Sequence, residues 1–179
     1  MTAPWRPGQR RPDSNSMLRV DQAGEYGATR IYAGQLAVLR RNSPASKLVS
    51  RMASQEARHL ERFDQLMAER GVRPTILQPV WDVAGFALGA ATALLSEEAA
   101  MACTDAVETE IDRHYGQQLA DLGDDDPELA ADIRKFREEE LEHRDSARQA
   151  GATRAIGYPL LTAAIRAGCR VAITLSKRI

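Results

Sequence analysis

Two four-residue stretches decide the fold of this chain: EARH at residues 56–59 and ELEH at residues 140–143. Each places a glutamate three residues before a histidine, and residues three apart lie on the same face of an α-helix. Each stretch therefore directs one carboxylate and one imidazole toward a common point. The chain has only three histidines, and these two motifs contain two of them.

A single glutamate precedes each motif at nearly the same distance. Glu25 lies 31 residues before Glu56, and Glu108 lies 32 residues before Glu140. Two helices with one glutamate each, alternating with two helices that carry Glu-x-x-His, form the ligand set of di-iron or di-manganese carboxylate bundles. Each motif could instead be a solvated surface pair, but the matched spacing favours a metal site.

The chemistry of these side chains favours iron or manganese. Carboxylate oxygens and imidazole nitrogens suit such metals, and no cysteine belongs to the set. Four carboxylates buried together without cations would be prohibitively unstable. Two ferrous ions carry four positive charges, so the motifs predict a dinuclear centre.

The composition excludes several other classes of protein. With 179 residues and a net charge of −1, the chain fits one domain without the basic field of a nucleic-acid-binding protein. Cys103 and Cys169 match no zinc or redox motif, which fits a reducing compartment. Residues 1–16 contain no signal-peptide core and are predicted to be a disordered tail, with an organelle-targeting remnant as the alternative. Residues 17–179 are predicted to be the folded domain.

Cap and stop residues delimit four predicted helices. Ser16 is a candidate N-cap, Gly71 and Gly123 are stops, and Asp126 precedes a proline at a helix start. The predicted helices cover approximately residues 16–41, 43 or 44 to 70, 96–122 and 126–151. No segment shows the alternation of a strand. The fold class is therefore all-α.

The first and second helix pairs look like a duplication. Glu25 and Glu108 are 83 residues apart, and Glu56 and Glu140 are 84 apart. Tyr32 and Tyr115 each follow their glutamate by seven residues, which is two helical turns on the same face. We expect the two helical hairpins to be related by a pseudo-twofold axis.

Two apolar segments do not belong to the four helices. Residues 83–95 carry no charge and are too short to span a bilayer as a helix, which indicates a crossover helix. Residues 155–179 form an amphipathic pattern, with an apolar face that comprises Leu161, Ile165, Ala172, Leu175 and Ile179. The opposite face is basic and comprises Arg166, Arg170 and Lys177. This pattern is typical of helices that lie on an anionic membrane surface, although a helix packed on the bundle is the alternative.

Small and acidic residues near the motifs give further candidates. Gly24 and Gly27 flank Glu25, where missing side chains would leave a channel beside the metals, or only loose packing. Gly85 and Gly89 permit a close approach between helices. A carboxylate could orient a metal-bound imidazole, and the nearby candidates are Asp21, Asp105 and Asp112. His114, next to Tyr115, is either structural or a proton relay.

Several stretches together resemble one family, the demethoxyubiquinone hydroxylases, which are di-iron monooxygenases of ubiquinone biosynthesis. The resemblance runs from about residue 17 to the C-terminus and excludes the tail. It rests on LRVDQAGEYGA at 18–28, EARHL at 56–60, residues 102–108, HY at 114–115, residues 136–143 and AGCRVAI at 167–173.

The resemblance implies a ferritin-like four-helix bundle and a specific reaction. Its metal ligands would be Glu25, Glu56, His59, Glu108, Glu140 and His143, holding two iron ions. The implied reaction hydroxylates the ring of a polyprenyl methoxy-methyl-benzoquinone with O2 and electrons from NADH, and His114 and Tyr115 would assist iron reduction. No Gly-x-Gly-x-x-Gly fingerprint is present, so NADH would bind without that fold or act through a reductase.

The resemblance also implies a location and partners. These are the cytoplasmic face of a bacterial plasma membrane, or the matrix face of the inner membrane in a eukaryote, and a lipid-binding accessory protein. A homo-oligomer is left open. The main alternative function is a ferritin-like ferroxidase, which the apolar C-terminal helix disfavours. A non-enzymatic membrane-associated bundle is the third hypothesis.

Overall fold

The structure, a computed structural model, describes residues 13–178 and is all-α in that range. The predicted tail lies outside the described residues up to position 12, whereas residues 13–16 belong to the start of the first helix. A short 3-10 helix covers Ala152–Arg154. The α-helices are α1 (Ser14–Val38), α2 (Pro44–Arg70), α3 (Gln78–Leu95), α4 (Glu97–Leu122), α5 (Pro127–Gln149) and α6 (Tyr158–Ser176).

Most helix ends lie where the sequence signals place them. The side chains of Ser43, Ser96 and Asp126 each accept a hydrogen bond from a backbone N–H in the first turn of the following helix. Gly71 ends α2 at φ 62°, a backbone conformation that glycine adopts without strain. Helix α1 differs from the prediction, because Asp13 rather than Ser16 provides its cap and the helix stops at Val38.

Four of the helices form the predicted ferritin-like bundle, arranged as two hairpins. Helix α1 packs on α2, and α4 packs on α5. The crossover segment forms α3, which lies mainly against α1 and also contacts α4. Helix α6 returns along α4. The crossover helix and the C-terminal helix therefore lie outside the four-helix core, against its α1 and α4 faces.

Two apolar layers enclose the middle of the bundle. One contains Tyr32, Val49 and Met52 together with alanines of α4 and α5. The other contains Leu18, Phe63, Leu122 and other residues from the opposite ends of the same helices. On each of the four core helices, the predicted ligands lie between the residues of these two layers. The fold thus places the ligands where water is excluded from both ends.

The α1–α3 contact depends on two glycines. An ideal Cβ added to Gly34 would lie 2.1 Å from the carbonyl oxygen of Phe86, and one added to Gly89 would lie 1.9 Å from that of Ile31. The two backbones therefore touch directly, without an intervening layer of side chains. The predicted close approach at Gly89 is confirmed.

Helix α6 uses its basic residues differently from the sequence prediction. Arg166 donates from Nε to Glu110 on α4 at 2.7 Å, and the Nε of Arg170 lies 3.2 Å from the same carboxylate. Glu110 is buried, so these two arginines hold α6 on the bundle rather than forming a free basic face. Ile179, part of the predicted apolar face, lies outside the described residues. None of the described helices is long and apolar enough to span a bilayer.

The glycine contact predicts a stability difference between two alanine substitutions. Gly89→Ala should lower the free energy of unfolding by roughly 1–3 kcal/mol, because the methyl group overlaps backbone atoms that cannot move aside independently. Gly168→Ala, whose new methyl meets no atom within 4 Å, should instead gain up to about 1 kcal/mol from helix propensity. Denaturant unfolding measures both. A Gly89→Ala protein as stable as the parent would contradict the backbone contact.

Candidate metal centre

The six predicted ligands meet in the middle of the bundle in two overlapping groups. In each group, one potential ligand atom per residue lies within 4.8 Å of all the others. Glu56 and Glu140 belong to both groups, so each could serve both metal ions. The first group is completed by Glu25 and His59, and the second by Glu108 and His143.

The carboxylates of this cluster are buried without sufficient protein partners. All six ligand residues are at most 3% exposed. Within the described residues, five carboxylate oxygens of the cluster have no hydrogen-bond partner: Oε2 of Glu25, both oxygens of Glu56, Oε2 of Glu108 and Oε1 of Glu140. Buried oxygens are rarely left without partners, so these atoms mark where a cation fits.

The electrostatics of the cluster also favour the binding of cations. Burial, followed by the charges of neighbouring carboxylates, raises the pKa of Glu56 and of Glu108 well above the ordinary range. Burial likewise raises the pKa of Glu140. The protein alone cannot hold all of these groups ionised. Two divalent metal ions would neutralise the four carboxylates and allow full deprotonation.

His59 shows how strongly the carboxylates attract a positive charge. Its Nδ1 lies 3.0 Å from Oε1 of Glu140 and 3.4 Å from Oε2 of Glu25, as ionic contacts rather than aligned hydrogen bonds. Burial lowers the pKa of His59, but these carboxylates outweigh burial and raise it to about 10. A metal ion at Nδ1 would take the place of that proton. Nδ1 of His143 similarly faces Glu56 and Glu140, each at 3.1 Å.

Two tyrosines hold Glu25 and Glu108, the glutamates that each belong to one group, across the bundle. Tyr32 on α1 donates to Oε1 of Glu108 at 2.6 Å, and Tyr115 on α4 donates to Oε1 of Glu25. Each tyrosine therefore serves the glutamate of the other hairpin, as the predicted pseudo-twofold axis requires. These contacts leave the second oxygen of each carboxylate available to a metal.

The groups that hold the imidazoles are not those predicted from the sequence. Nε2 of His59 lies 3.0 Å from Oε2 of Glu139, and Nε2 of His143 lies 3.1 Å from Oε1 of Gln55. Both partners directly precede, in the chain, a glutamate that belongs to both groups. The sequence signal for Gln55 and Glu139 was that each is next to a predicted ligand. Consecutive residues on an α-helix point about 100° apart, however, so this adjacency does not by itself predict a contact with an imidazole.

The three aspartates proposed for this role have other partners. Asp105 accepts from Arg148 and Tyr158, and Asp112 accepts from Arg137. Asp21 lies 3.2 Å from Nε2 of His114 and accepts from Gln118. None of these contacts reaches His59 or His143. His114 therefore meets Asp21 rather than any of the six ligands, whereas the neighbouring Tyr115 does contact one.

An apolar cavity of about 530 Å³ lies between the α1 and α4 faces of the core and helices α3 and α6. Gly24 and Gly27 line it, and a Cβ added to either glycine would meet no atom within 4 Å. The predicted open space at these two glycines is therefore present, although none of the six predicted ligands lines the cavity. A smaller void, too narrow for a water molecule, continues from the cavity wall at Ala28 and Val107 to Glu108.

Comparison with known proteins identifies the relatives of this chain. The family model described as ubiquinone biosynthesis protein COQ7 matches residues 12–176. A 3-demethoxyubiquinol 3-hydroxylase of Rhodospirillum rubrum is 57% identical over 162 residues, covering 90% of this chain and 76% of the relative.

Eukaryotic relatives have similar names. The mitochondrial NADPH-dependent 3-demethoxyubiquinone 3-hydroxylase of Homo sapiens is 53% identical, covering 91% of this chain and 76% of the relative. The mitochondrial 5-demethoxyubiquinone hydroxylase of Saccharomyces cerevisiae is 42% identical, covering 91% and 77% respectively. These names favour the hydroxylase prediction over a ferroxidase. The family match over residues 12–176 and the identities over about 90% of this chain establish that the chain belongs to the COQ7 family of ubiquinone biosynthesis proteins.

Proposed function

We propose that this protein is a di-iron monooxygenase that hydroxylates the benzoquinone ring of a demethoxyubiquinone, a polyprenyl methoxy-methyl-benzoquinone, in ubiquinone biosynthesis. One observation carries the proposal: a bundle that holds a buried centre of four glutamates and two histidines also contains an apolar cavity, whose wall includes the neighbours of Glu25 and Glu108 in the chain, Gly24 and Val107. The centre suits redox-active metal, and the cavity suits an isoprenoid substrate. No observation specifically favours the ferroxidase alternative. The catalytic domain is proposed to be residues 17–179.

The proposed reaction replaces one ring C–H bond with C–OH. O2 supplies the new oxygen atom and a second one that leaves as water, while a reduced nicotinamide supplies two electrons. Two iron ions, held by Glu25, Glu56, His59, Glu108, Glu140 and His143, would supply the activation of O2. The protein itself positions the ligands, through Tyr32 and Tyr115, and keeps water away with its apolar layers.

The electron donor is proposed to be a reduced nicotinamide. The sequence predicted NADH, whereas the human relative carries NADPH in its name, so both donors belong in the assay. Tyr115 is proposed to assist iron reduction as a positioning residue, because it holds Glu25. His114 is proposed to act further out, through buried Asp21, whose pKa is raised by burial despite the hydrogen bond with His114.

The decisive experiment follows the origin of the new hydroxyl oxygen. The iron-loaded protein should convert a demethoxyubiquinone in labelled O2 to a product that carries one labelled atom, detected by mass spectrometry. Glu140→Gln should lose bound iron and product formation together, because Glu140 belongs to both metal groups. Label arriving from water would exclude a monooxygenase.

A matched substitution serves as the control for that experiment. Glu142→Gln makes the same chemical change two residues away, on an exposed position of α5. It should retain two irons and normal turnover. Retention of both irons by Glu140→Gln would contradict the ligand assignment.

The cavity is proposed to hold the isoprenoid tail, and Gly27 offers a direct test. Gly27 lines the cavity and a Cβ there meets no atom within 4 Å, so we expect a leucine to project into the cavity and displace part of the tail. Displacing four methylenes costs about 3 kcal/mol, or roughly a hundredfold in affinity. Gly27→Leu should therefore raise KM for a long-tailed quinone by about that factor.

The same variant should behave normally in two other measurements. Its melting temperature and iron content should match those of the parent, and a tailless quinone should react with nearly unchanged kinetics. Equal losses for long-tailed and tailless substrates would show that the cavity does not hold the tail.

A peripheral position on a membrane is proposed from the exposed apolar residues. Within residues 13–178, all ten large hydrophobic side chains that are exposed lie in the two segments 76–95 and 156–175. These segments contain α3 and α6, which also border the cavity. A membrane there would deliver the substrate directly. The cytoplasmic or matrix face, a lipid-binding accessory protein and a homo-oligomer remain part of this proposal.

Vesicle flotation tests the membrane proposal. Replacing Val83 and Leu160 by serine together should reduce the bound fraction at least about tenfold, because these side chains are 69% and 78% exposed and would lose burial in lipid. Their exposure also means that the melting temperature should not fall. Glu69→Ser, an exposed change on α2, is the control. Unchanged flotation of the double variant would place the membrane contact elsewhere.

A further inference from the structure

The outer nitrogens of both ligand imidazoles belong to one hydrogen-bond bridge. His59 meets Glu139 directly, at 3.0 Å. His143 meets Oε1 of Gln55 at 3.1 Å, and Nε2 of Gln55 donates to the same Oε2 of Glu139 at 3.4 Å. Since the amide N–H is directed at Glu139, its oxygen is the acceptor for His143. Both imidazoles are therefore linked to the carboxylate of Glu139. His59 contacts it directly, whereas His143 is linked to it through the neutral amide of Gln55.

This bridge breaks the symmetry of the two hairpins. Gln55 directly precedes Glu56, and Glu139 directly precedes Glu140, so the two occupy equivalent positions. The ligands and the tyrosines that hold them are of identical type in both halves, as the pairs Glu25/Glu108, Glu56/Glu140, His59/His143 and Tyr32/Tyr115 show. The Gln55/Glu139 pair is different: within the described residues, these two equivalent positions touch the ligands with an amide in one half and a carboxylate in the other.

The difference has a defined chemical effect. A carboxylate that accepts the outer N–H of an imidazole draws that proton away and raises the basicity of the inner nitrogen. A neutral amide does so much more weakly. Nδ1 of His59 should therefore be the stronger donor to a metal, although the two sets of direct ligands are the same in composition.

We propose that Glu139 is a positioning residue that makes the two metal positions unequal. The position at His59 binds its ion more tightly, and the position at His143 binds more weakly and fills second. Glu139 raises the basicity of His59 through a direct contact. Its influence on His143 is weaker, because the neutral amide of Gln55 lies between them. This inference rests on the proposed di-iron centre.

Anaerobic titration of the full chain with ⁵⁷Fe²⁺ tests the proposal, with calorimetry for affinity and Mössbauer spectroscopy for the environment of each ion. The parent protein should show two binding steps and two distinct quadrupole doublets. Glu139→Gln should weaken the tighter step by roughly 10–100-fold and bring the two doublets together. Glu138→Gln, the same change at an exposed neighbour, should alter neither measurement.

A second variant addresses the other end of the bridge. Gln55→Leu removes the partner of His143, so it should weaken the second step and leave the first within a few-fold of the parent. The proposal is overturned if Glu139→Gln titrates like the parent or weakens both steps equally. If Glu139→Gln does not fold, a Gln55→Leu protein that loses the first step overturns it instead. A parent protein that binds fewer than two irons would refute the proposed function, which is a separate result.

Discussion

Mutual repulsion among four buried carboxylates is the constraint on which the rest of this structure depends. Glu25, Glu56, Glu108 and Glu140 lie in a region that two apolar layers close to water. Low polarity strengthens both the repulsion and the attraction for cations. Desolvating each ion costs several kcal/mol, so the bundle must be rigid enough to keep the carboxylates together. The tyrosine and Gln55/Glu139 contacts provide that rigidity by fixing ligands from one hairpin with groups from the other.

The sequence predicted which Glu and His side chains would cluster, because their spacing is a local property of helices. Glu-x-x-His on one helical face needs no knowledge of the fold, and neither do the helix ends at Ser96, Gly71 and Pro127. The partners of the imidazoles are different, since Glu139 reaches His59 across 80 residues of chain. Proximity in sequence indicated the three aspartates, but the tertiary arrangement that brings α2 and α5 together decides which groups meet the imidazoles.

The same limit explains the basic face of α6. A helical wheel correctly groups Arg166 and Arg170 on one face. It cannot show that both arginines contact the buried carboxylate of Glu110 on α4. Glu110 is 1% exposed, and its burial is tolerable because arginines surround it. The apolar side of α6 contributes Leu161, Ile165 and other residues to the cavity wall. An amphipathic pattern therefore describes which residues share a face, whereas tertiary packing decides what that face meets.

The direct backbone contact between α1 and α3, which Gly34 and Gly89 permit, has a geometric consequence. Helix α1 carries Glu25, and α3 carries much of the exposed apolar surface. Because backbone meets backbone, no flexible side chains separate the two helices. The distance from the outer apolar surface of α3 to Glu25 is consequently fixed by the backbone contact. For the proposed quinone substrate, that length would set how deep the ring could sit while the end of its tail still lay outside the protein.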